Sequence, residues 1–368
     1  MMNQRYARHI TLAEVGVKGQ EKLTAAKIIV VGAGGLGCAA LQYLVSAGVG
    51  TIGIVDFDIV SLSNLQRQIL YTENDIGKNK ALTAKSKLQA LNSNITITAQ
   101  PVALDIDNCL EILSEYDIVI DGTDNFTTRY LINDACSKLK KPMVYGSLYK
   151  FEGQVSVFNY KDGPSYRCLF PEPPKVGEIP NCSEIGILGV LPGQIGVLQA
   201  TEVLKIILEI GDVLSGHLLY VNVLTNESST FDISRNEEVI RAIRSKELEY
   251  VATQDCDLYQ TISLAEIQPS EQVYWMDIRE EDERPLLELP NLKRIPFSSI
   301  LTAREVWSQK IDAIQKTDKK IIFCQSGLRA KKAVKLLNTT EITNCFALKE
   351  GAETILKWIQ ENHERSKN

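Results

Sequence analysis

Two stretches of this chain carry residue types that could do chemistry. Cys324-Gln325-Ser326-Gly327-Leu328-Arg329 follows an apolar run, Lys320-Ile321-Ile322-Phe323, and precedes a segment with helical spacing. A cysteine that opens a tight loop before a helix can have its negatively charged sulfur cradled by inward backbone N–H groups. Nearer the other end, Gly32-x-Gly34-x-x-Gly37 follows a strand-like run and opens a helix-like one. Its glycines let backbone approach a phosphate, and the helix N-terminus attracts the phosphate's charge. Asp56 ends the next strand-like run, nineteen residues after Gly37, where a carboxylate can hold ribose hydroxyls. Alone, this fragment says only nucleotide or dinucleotide, with a nicotinamide cofactor favoured. One polypeptide thus pairs a nucleotide site with a reactive thiol loop.

The elements that must position these residues follow from the hydrophobic pattern. Strand-like runs at 27–31, 51–56, 96–102, 118–121 and 143–146 alternate with helix-like runs at 36–47, 78–91, 107–114 and 125–139. Such alternation predicts a parallel sheet covered by helices on both faces. Runs at 153–158, 218–223 and 229–233 read as antiparallel additions. Between them lie a Pro- and Gly-rich stretch, 162–186, and a long apolar helix, 194–210. The charge-rich segment 234–257 marks the domain boundary. Beyond it come strands at 272–277, 320–324 and 345–348 and helices at 328–337 and 352–362. The expected organisation is a first domain over 1–235, a linker over 236–258 and a smaller α/β domain over 259–368.

Composition excludes several function classes. The 368 residues suffice for two domains of ordinary size. A net charge of −6 opposes a nucleic-acid footprint. No apolar run looks long enough to span a bilayer, and the polar start lacks the apolar centre of a signal peptide, so a cytoplasmic protein without a membrane partner is expected. Eight cysteines, at 38, 109, 136, 168, 182, 256, 324 and 345, form no Cys-x-x-Cys, and the three histidines are far apart. Free thiols in a reducing compartment are expected, and a His- or Cys-rich metal site is not.

Further residues narrow the nucleotide reading. Arg5-Tyr6-Ala7-Arg8, Asp56-Phe57-Asp58, Asn64-Leu65-Gln66-Arg67-Gln68, Gly77-Lys78-Asn79-Lys80 and Asp121-Gly122-Thr123-Asp124-Asn125 occur in that order. In this set the chain strongly resembles the MoeB/ThiF/HesA family of the ubiquitin-activating-enzyme superfamily, over about residues 3–235. The resemblance implies a Rossmann-like ATP-binding domain with a mixed, mostly parallel sheet, acting in adenylation of a carboxylate. Arg67 and Lys80 suit neutralisation of the triphosphate and its transition state. Asp124 suits Mg²⁺, which takes hard oxygen ligands. Asp56 and Asp58 are expected at ribose or adenine and Asn64 at phosphate. Gly32, Gly34, Gly35, Gly37, Gln68 and Asn125 complete the expected nucleotide set. In the family an arginine matching Arg8 reaches the partner subunit's site, which implies a homodimer. Cys182, in Pro180-Asn181-Cys182-Ser183, falls where relatives have a loop cysteine that links to the carrier or relays sulfur.

The pattern breaks at zinc. Relatives usually hold a structural zinc on two Cys-x-x-Cys pairs. Here the first would fall at Ser165-Tyr166-Arg167-Cys168 and the second just after Arg235-Asn236, where Glu237-Glu238 stands instead. One thiolate of four remains, and a tetrahedral site needs four ligands, so no zinc is expected.

The C-terminal loop, Cys324-x-x-Gly327-x-Arg329, resembles that of rhodanese, and residues 259–366 resemble the whole rhodanese domain. Asp277-Ile278-Arg279-Glu280 matches its Asp-x-Arg-Glu element. Four residues separate Cys324 from Arg329, one fewer than in phosphatases of related shape, and the smaller loop fits sulfur. A Cys324 persulfide, favoured by loop N–H groups and by Arg329, is implied. A departure lies between Arg279 and Pro296, where the stretch is compressed.

Together these resemblances imply an adenylyltransferase fused to a sulfurtransferase, of the kind serving molybdopterin, thiamine or tRNA-thiolation pathways. The implied partner is a ubiquitin-like sulfur carrier of MoaD or ThiS type. The implied sulfur source is thiosulfate or a cysteine desulfurase, and the cofactors are ATP and Mg²⁺. Three alternatives stay open: a nicotinamide oxidoreductase, an adenylating enzyme whose rhodanese only docks, and a HesA-like activation of another carboxylate.

Overall fold

The computed structural model describes residues 2–174, 186–248, 260–267, 273–281, 283–297, 318–325, 327, 329–330, 333–334, 337 and 344–365. The chain divides into two compact units, Met1–Thr253 and Gln254–Asn368.

The first unit is built on an eight-stranded sheet in the order β3-β2-β1-β4-β5-β6-β7-β8. Its parallel part comprises β1 (Lys27–Val31), β2 (Thr51–Val55), β3 (Thr96–Gln100), β4 (Ile118–Asp121) and β5 (Met143–Tyr149). Then β6 (Glu152–Phe158), β7 (His217–Asn222) and β8 (Glu227–Asp232) continue it antiparallel, as the sequence predicts. The central strands β1, β2 and β4 are near-continuous apolar runs because both faces are covered. Alternation on β1 shows it: Ile28 and Val30 enter one core, Ile29 and Val31 the other. Strand order reverses between β1 and β4, the place in such a sheet where ligands bind at the carboxyl ends. The Gly32–Gly37 loop leaves β1 there, and Gly122–Asn125 leaves β4.

One described helix, Val190–Leu208, is long and apolar enough to cross a membrane by length and composition, which the sequence reading had not found. It is a core helix of this unit. Its Leu191, Ile195, Gly196, Ala200 and Val203 are buried. A Cβ on Gly196 would lie 2.3 Å from the Leu36 carbonyl oxygen, so the bare glycine lets it pack tightly on the helix Gly35–Ala47. Part of the segment read as linker is helical too. Asn236 caps Glu237–Ser245, accepting from the amides of Glu238 and Val239, and Ile240 and Ile243 are buried.

The second unit has a five-stranded parallel sheet in the order β11-β10-β12-β13-β9. These are β9 (Gln260–Ile262), β10 (Val273–Asp277), β11 (Leu292–Arg294), β12 (Lys319–Phe323) and β13 (Cys345–Leu348). The sequence pattern shows the three central strands and misses β9 and β11. Both are three-residue edge strands, half polar and without the two-sided burial that makes an apolar run. Cys324 follows β12 at its carboxyl end and packs with Met276, Ile322, Ala330 and Val334.

Candidate functional site

At the β1–β4 crossing, glycine is demanded by close approach. Gly32 has φ +93°, and a Cβ there would sit 2.7 Å from the Gly122 carbonyl oxygen. A Cβ on Gly37 would lie 2.0 Å from the Gly32 oxygen. Gly34 differs: the nearest atom to its missing Cβ is Gln68 Nε2 at 3.7 Å. The amide of Gln68 is buried and its Oε1 has no hydrogen-bond partner. An open glycine face beside an orphaned buried oxygen fits a site awaiting a polar ligand. Arg67 lies along the same turn, its Cγ 3.7 Å from a Cβ built on Gly35, and its Nη1 donates to the Ser63 carbonyl at 3.0 Å.

Asp56 binds the loop itself, its Oδ2 accepting the Ala33 amide at 2.7 Å and its Oδ1 the Asp58 amide at 2.8 Å. Burial pushes its carboxyl up and the charge of Lys80 opposes that. Lys80 is buried and donates from Nζ to Asp58 Oδ2 at 2.9 Å. The helix Lys80–Leu91 starts there because Asn79 caps it, accepting the Leu82 amide at 3.0 Å. Asn79 Nδ2 also donates to the carbonyls of Asp56 and Asp58, each at 3.1 Å. Tyr71 donates to the Ala33 carbonyl at 2.8 Å.

Under the β4 end, Arg129 donates from Nε to Asp121 Oδ2 at 2.7 Å and from Nη2 to the Thr123 carbonyl at 2.9 Å. Asp121 Oδ1 in turn accepts the Thr123 amide and hydroxyl. This buried pair fixes the turn that carries Asp124, which is exposed. Asn125 caps the helix Phe126–Leu139, its Oδ1 accepting the Thr128 amide at 2.8 Å. Asn64 Oδ1 caps its own turn through the Ser61 amide at 3.4 Å. Arg8 is exposed on the short helix Ala7–Ile10, outside this group of side chains.

In the second unit, Gly327 has φ +82°, and a Cβ there would meet the Lys349 carbonyl at 2.7 Å. Cys324 is fully buried. Arg329 has a partner that the sequence reading did not name: both its terminal nitrogens bind the Glu283 carboxylate. Arg279 grips both oxygens of Asp277 and donates from Nη1 to the Pro285 carbonyl at 2.8 Å and to Gln325 Oε1 at 3.4 Å.

A model of the ThiF family matches residues 6–241. The chain belongs to the ThiF family. A sulfur carrier protein adenylyltransferase of Thermus thermophilus is 52% identical over 237 residues, 63% of this chain and 88% of that protein. An adenylyltransferase and sulfurtransferase MOCS3 of Culex quinquefasciatus is 40% identical over 356 residues, 90% of this chain and 81% of that one. Among solved structures, E. coli MccB with ATP superposes with a TM-score of 0.56 at 22% identity, over 64% of this chain and 72% of that chain, a likeness of fold. This ThiF-family chain is an enzyme that combines adenylyl transfer with sulfur transfer, in a Rossmann-type adenylyltransferase domain and a rhodanese fusion.

Several residues that brace these turns and loops in the two units escaped the sequence reading. Asn79 could have been found, since an Asn directly before a helical run is a cap signal. Tyr71, Arg129 and Glu283 carry no local signal. Cys182 lies outside the described residues. At the surviving Cys168, Sγ accepts the amides of Ser165 and Asn236, each at 3.4 Å. Ser165 Oγ donates to Asn133 Oδ1 at 2.9 Å, and Arg235 pairs with Glu237 at 2.6 Å. Among the described residues no group of three or more His, Cys, Asp or Glu could hold a metal, and the six described cysteines are free.

Proposed function

We propose that the enzyme adenylates the C-terminal glycine carboxylate of a ubiquitin-like sulfur carrier of MoaD or ThiS type and then delivers sulfur from a Cys324 persulfide to form a thiocarboxylate. The observation that carries the first step is the convergence of Gly34, buried Gln68, Lys80 and the Asp124 turn at the β1–β4 crossing. ATP supplies the electrophilic phosphorus and the AMP leaving group that a carboxylate lacks. Loop amides and the helix start at Gly35 bind phosphate. Arg67 and Lys80 neutralise charge that develops as pyrophosphate departs. Asp56 and Asp58 hold the ribose, and Asn64, Gln68 and Asn125 orient the nucleotide. Asp124 would hold Mg²⁺, a hard cation that takes carboxylate oxygen and would supply positive charge beside the phosphates. Arg8 completes the site of a second copy in a homodimer.

In the second step the outer sulfur of the persulfide attacks the activated carbonyl and AMP leaves. A second thiol, for which Cys182 is the candidate, attacks the Cys324 sulfur of the resulting acyl disulfide, so that the thiocarboxylate leaves as a disulfide forms between the two cysteines, and a small-molecule thiol then reduces that disulfide. Thiosulfate or a cysteine desulfurase charges Cys324. The hydrogen bonds around Cys168 take the place of zinc in joining 165–168 to 235–238. Free thiols agree with a cytoplasmic setting.

Full burial of Cys324 favours a second reading, in which the rhodanese unit only docks. One experiment separates them. A Gly-Gly-ended carrier is incubated with the protein, ATP–Mg²⁺ and thiosulfate, and its intact mass is measured. An oxygen-to-sulfur mass gain, lost with Cys324→Ala, is expected. A gain that survives the substitution leaves the docking reading, and no adenylate at all points to another carboxylate.

A further inference from the structure

An unpaired arginine beside the Cys324 loop would draw in any small oxyanion. In this enzyme Arg329 has a fixed partner. Its Nη1 donates to Glu283 Oε1 at 2.5 Å and its Nη2 to Oε2 at 2.6 Å. The carboxylate is itself held, because Oε1 also accepts the Glu280 amide at 2.8 Å. The side chains retain only 28% and 24% of their exposure, so solvent and salt screen the pair less than an open surface pair. The bond from Arg329 lowers the Glu283 carboxyl below its ordinary range, and the same bond raises Arg329. Both partners are charged at neutral pH. The other arginine at the loop, Arg279, is committed to Asp277.

We infer that Glu283 is a specificity-determining residue: by pairing with Arg329 it withholds one positive charge from the Cys324 loop, so that the loop selects singly charged sulfur donors over doubly charged oxyanions. This rests on the reading of Cys324 as the sulfur acceptor. The chemistry makes the charge matter. With thiosulfate, the Cys324 thiolate attacks the outer sulfur, a new S–S bond forms, and the electrons of the old S–S bond leave on sulfite. Thiolate and thiosulfate dianion become persulfide anion and sulfite dianion, with three negative charges gathered throughout. With a persulfide donor, R–S–S⁻, the outer sulfur moves to Cys324 and R–S⁻ departs, with two charges gathered. A loop whose arginine is already neutralised stabilises the second encounter at less disadvantage than the first.

The test uses the full chain at constant ionic strength. Sulfate, a dianion that cannot donate sulfur, is titrated calorimetrically into the wild type, Glu283→Gln and the double variant Glu283→Gln/Arg329→Met. Glu283→Gln is expected to bind sulfate on the order of tenfold more tightly than the wild type, the gain expected from one partly screened charge. The double variant loses that gain, which separates this loop from the nucleotide site. In parallel, the thiosulfate KM of Glu283→Gln falls by a similar factor, whereas kcat/KM with cysteine persulfide changes less than about threefold. Glu283→Asp, which keeps the charge, follows the wild type. Sulfate affinity that is unchanged or weaker in Glu283→Gln, or a gain that persists without Arg329, overturns the inference. If sulfate affinity rises as expected but neither donor yields transfer in any variant, the sulfurtransferase reading fails and the charge pairing stands.

Discussion

At the scale of single residues, Lys80 shows how a fold buries a cation of a type usually found on the surface. Its ammonium is buried and faces Asp58, with Asp56 close enough for the lysine to oppose the burial of that carboxyl. Lys80→Met is expected to lower carrier-dependent ATP–pyrophosphate exchange by about a hundredfold or more, the usual loss for a group that stabilises transition-state charge. Stability should fall by only about 1 kcal/mol, because Asp58 is 42% exposed and rehydrates. Exchange within about threefold of wild type would sink the assignment. Asp56, Arg67, Lys80 and Asp124 drew the sequence reading because they lie in an ordered set of motifs. Tyr71 and Arg129 did not, since each acts by donating to backbone carbonyls that only the folded chain brings near. Glu283 was hidden for a related reason: its partner lies forty-six positions away.

At the scale of elements, the strand-to-helix turn after β1 is set by which glycine hydrogens are crowded. Gly37→Ala would drive a Cβ into the Gly32 carbonyl at 2.0 Å, backbone against backbone. A loss of about 3 kcal/mol is expected, read as a lower unfolding midpoint together with lost nucleotide binding by titration. Gly34→Ala is the contrast, since its Cβ has room, and it should fold with a near-native midpoint while nucleotide binding weakens. Equal behaviour of the two would mean that sterics do not govern this turn. The turn Glu73–Asp75, ahead of the Lys80 helix, depends on a carboxylate cap. Burial would raise Asp75, but hydrogen bonds from Lys87 and from the Thr72 hydroxyl and amide outweigh it and hold the carboxyl well below its usual range. A group depressed in the folded state contributes stability above its unfolded pKa, about 4, and loses it as pH falls below that. Denaturant midpoints measured between pH 7 and pH 2 should therefore drop less steeply for Asp75→Asn than for the wild type. Parallel curves for the two proteins would remove Asp75 from the acid response.

At the scale of the whole molecule, each unit has its own sheet and its own buried clusters. Cys324→Ala should therefore leave pyrophosphate exchange within about twofold of wild type while abolishing thiocarboxylate, the pattern of two sites tethered for effective concentration rather than merged. A parallel loss of both activities would contradict that separation. The alternation of apolar runs determined by itself the parallel sheet and the central strands of the second unit, because two-sided burial writes a local and periodic signal. Motif order likewise determined the adenylyl- and sulfur-transfer chemistry, because reactive groups need particular residue types at short spacings. Tertiary structure alone decided the edge strands β9 and β11, the burial of the long helix Val190–Leu208, the clamp of Asp121 and Arg129 beneath Asp124, and the pairing of Glu283 with Arg329. Each of these depends on which distant segments meet, and no local period or spacing records that.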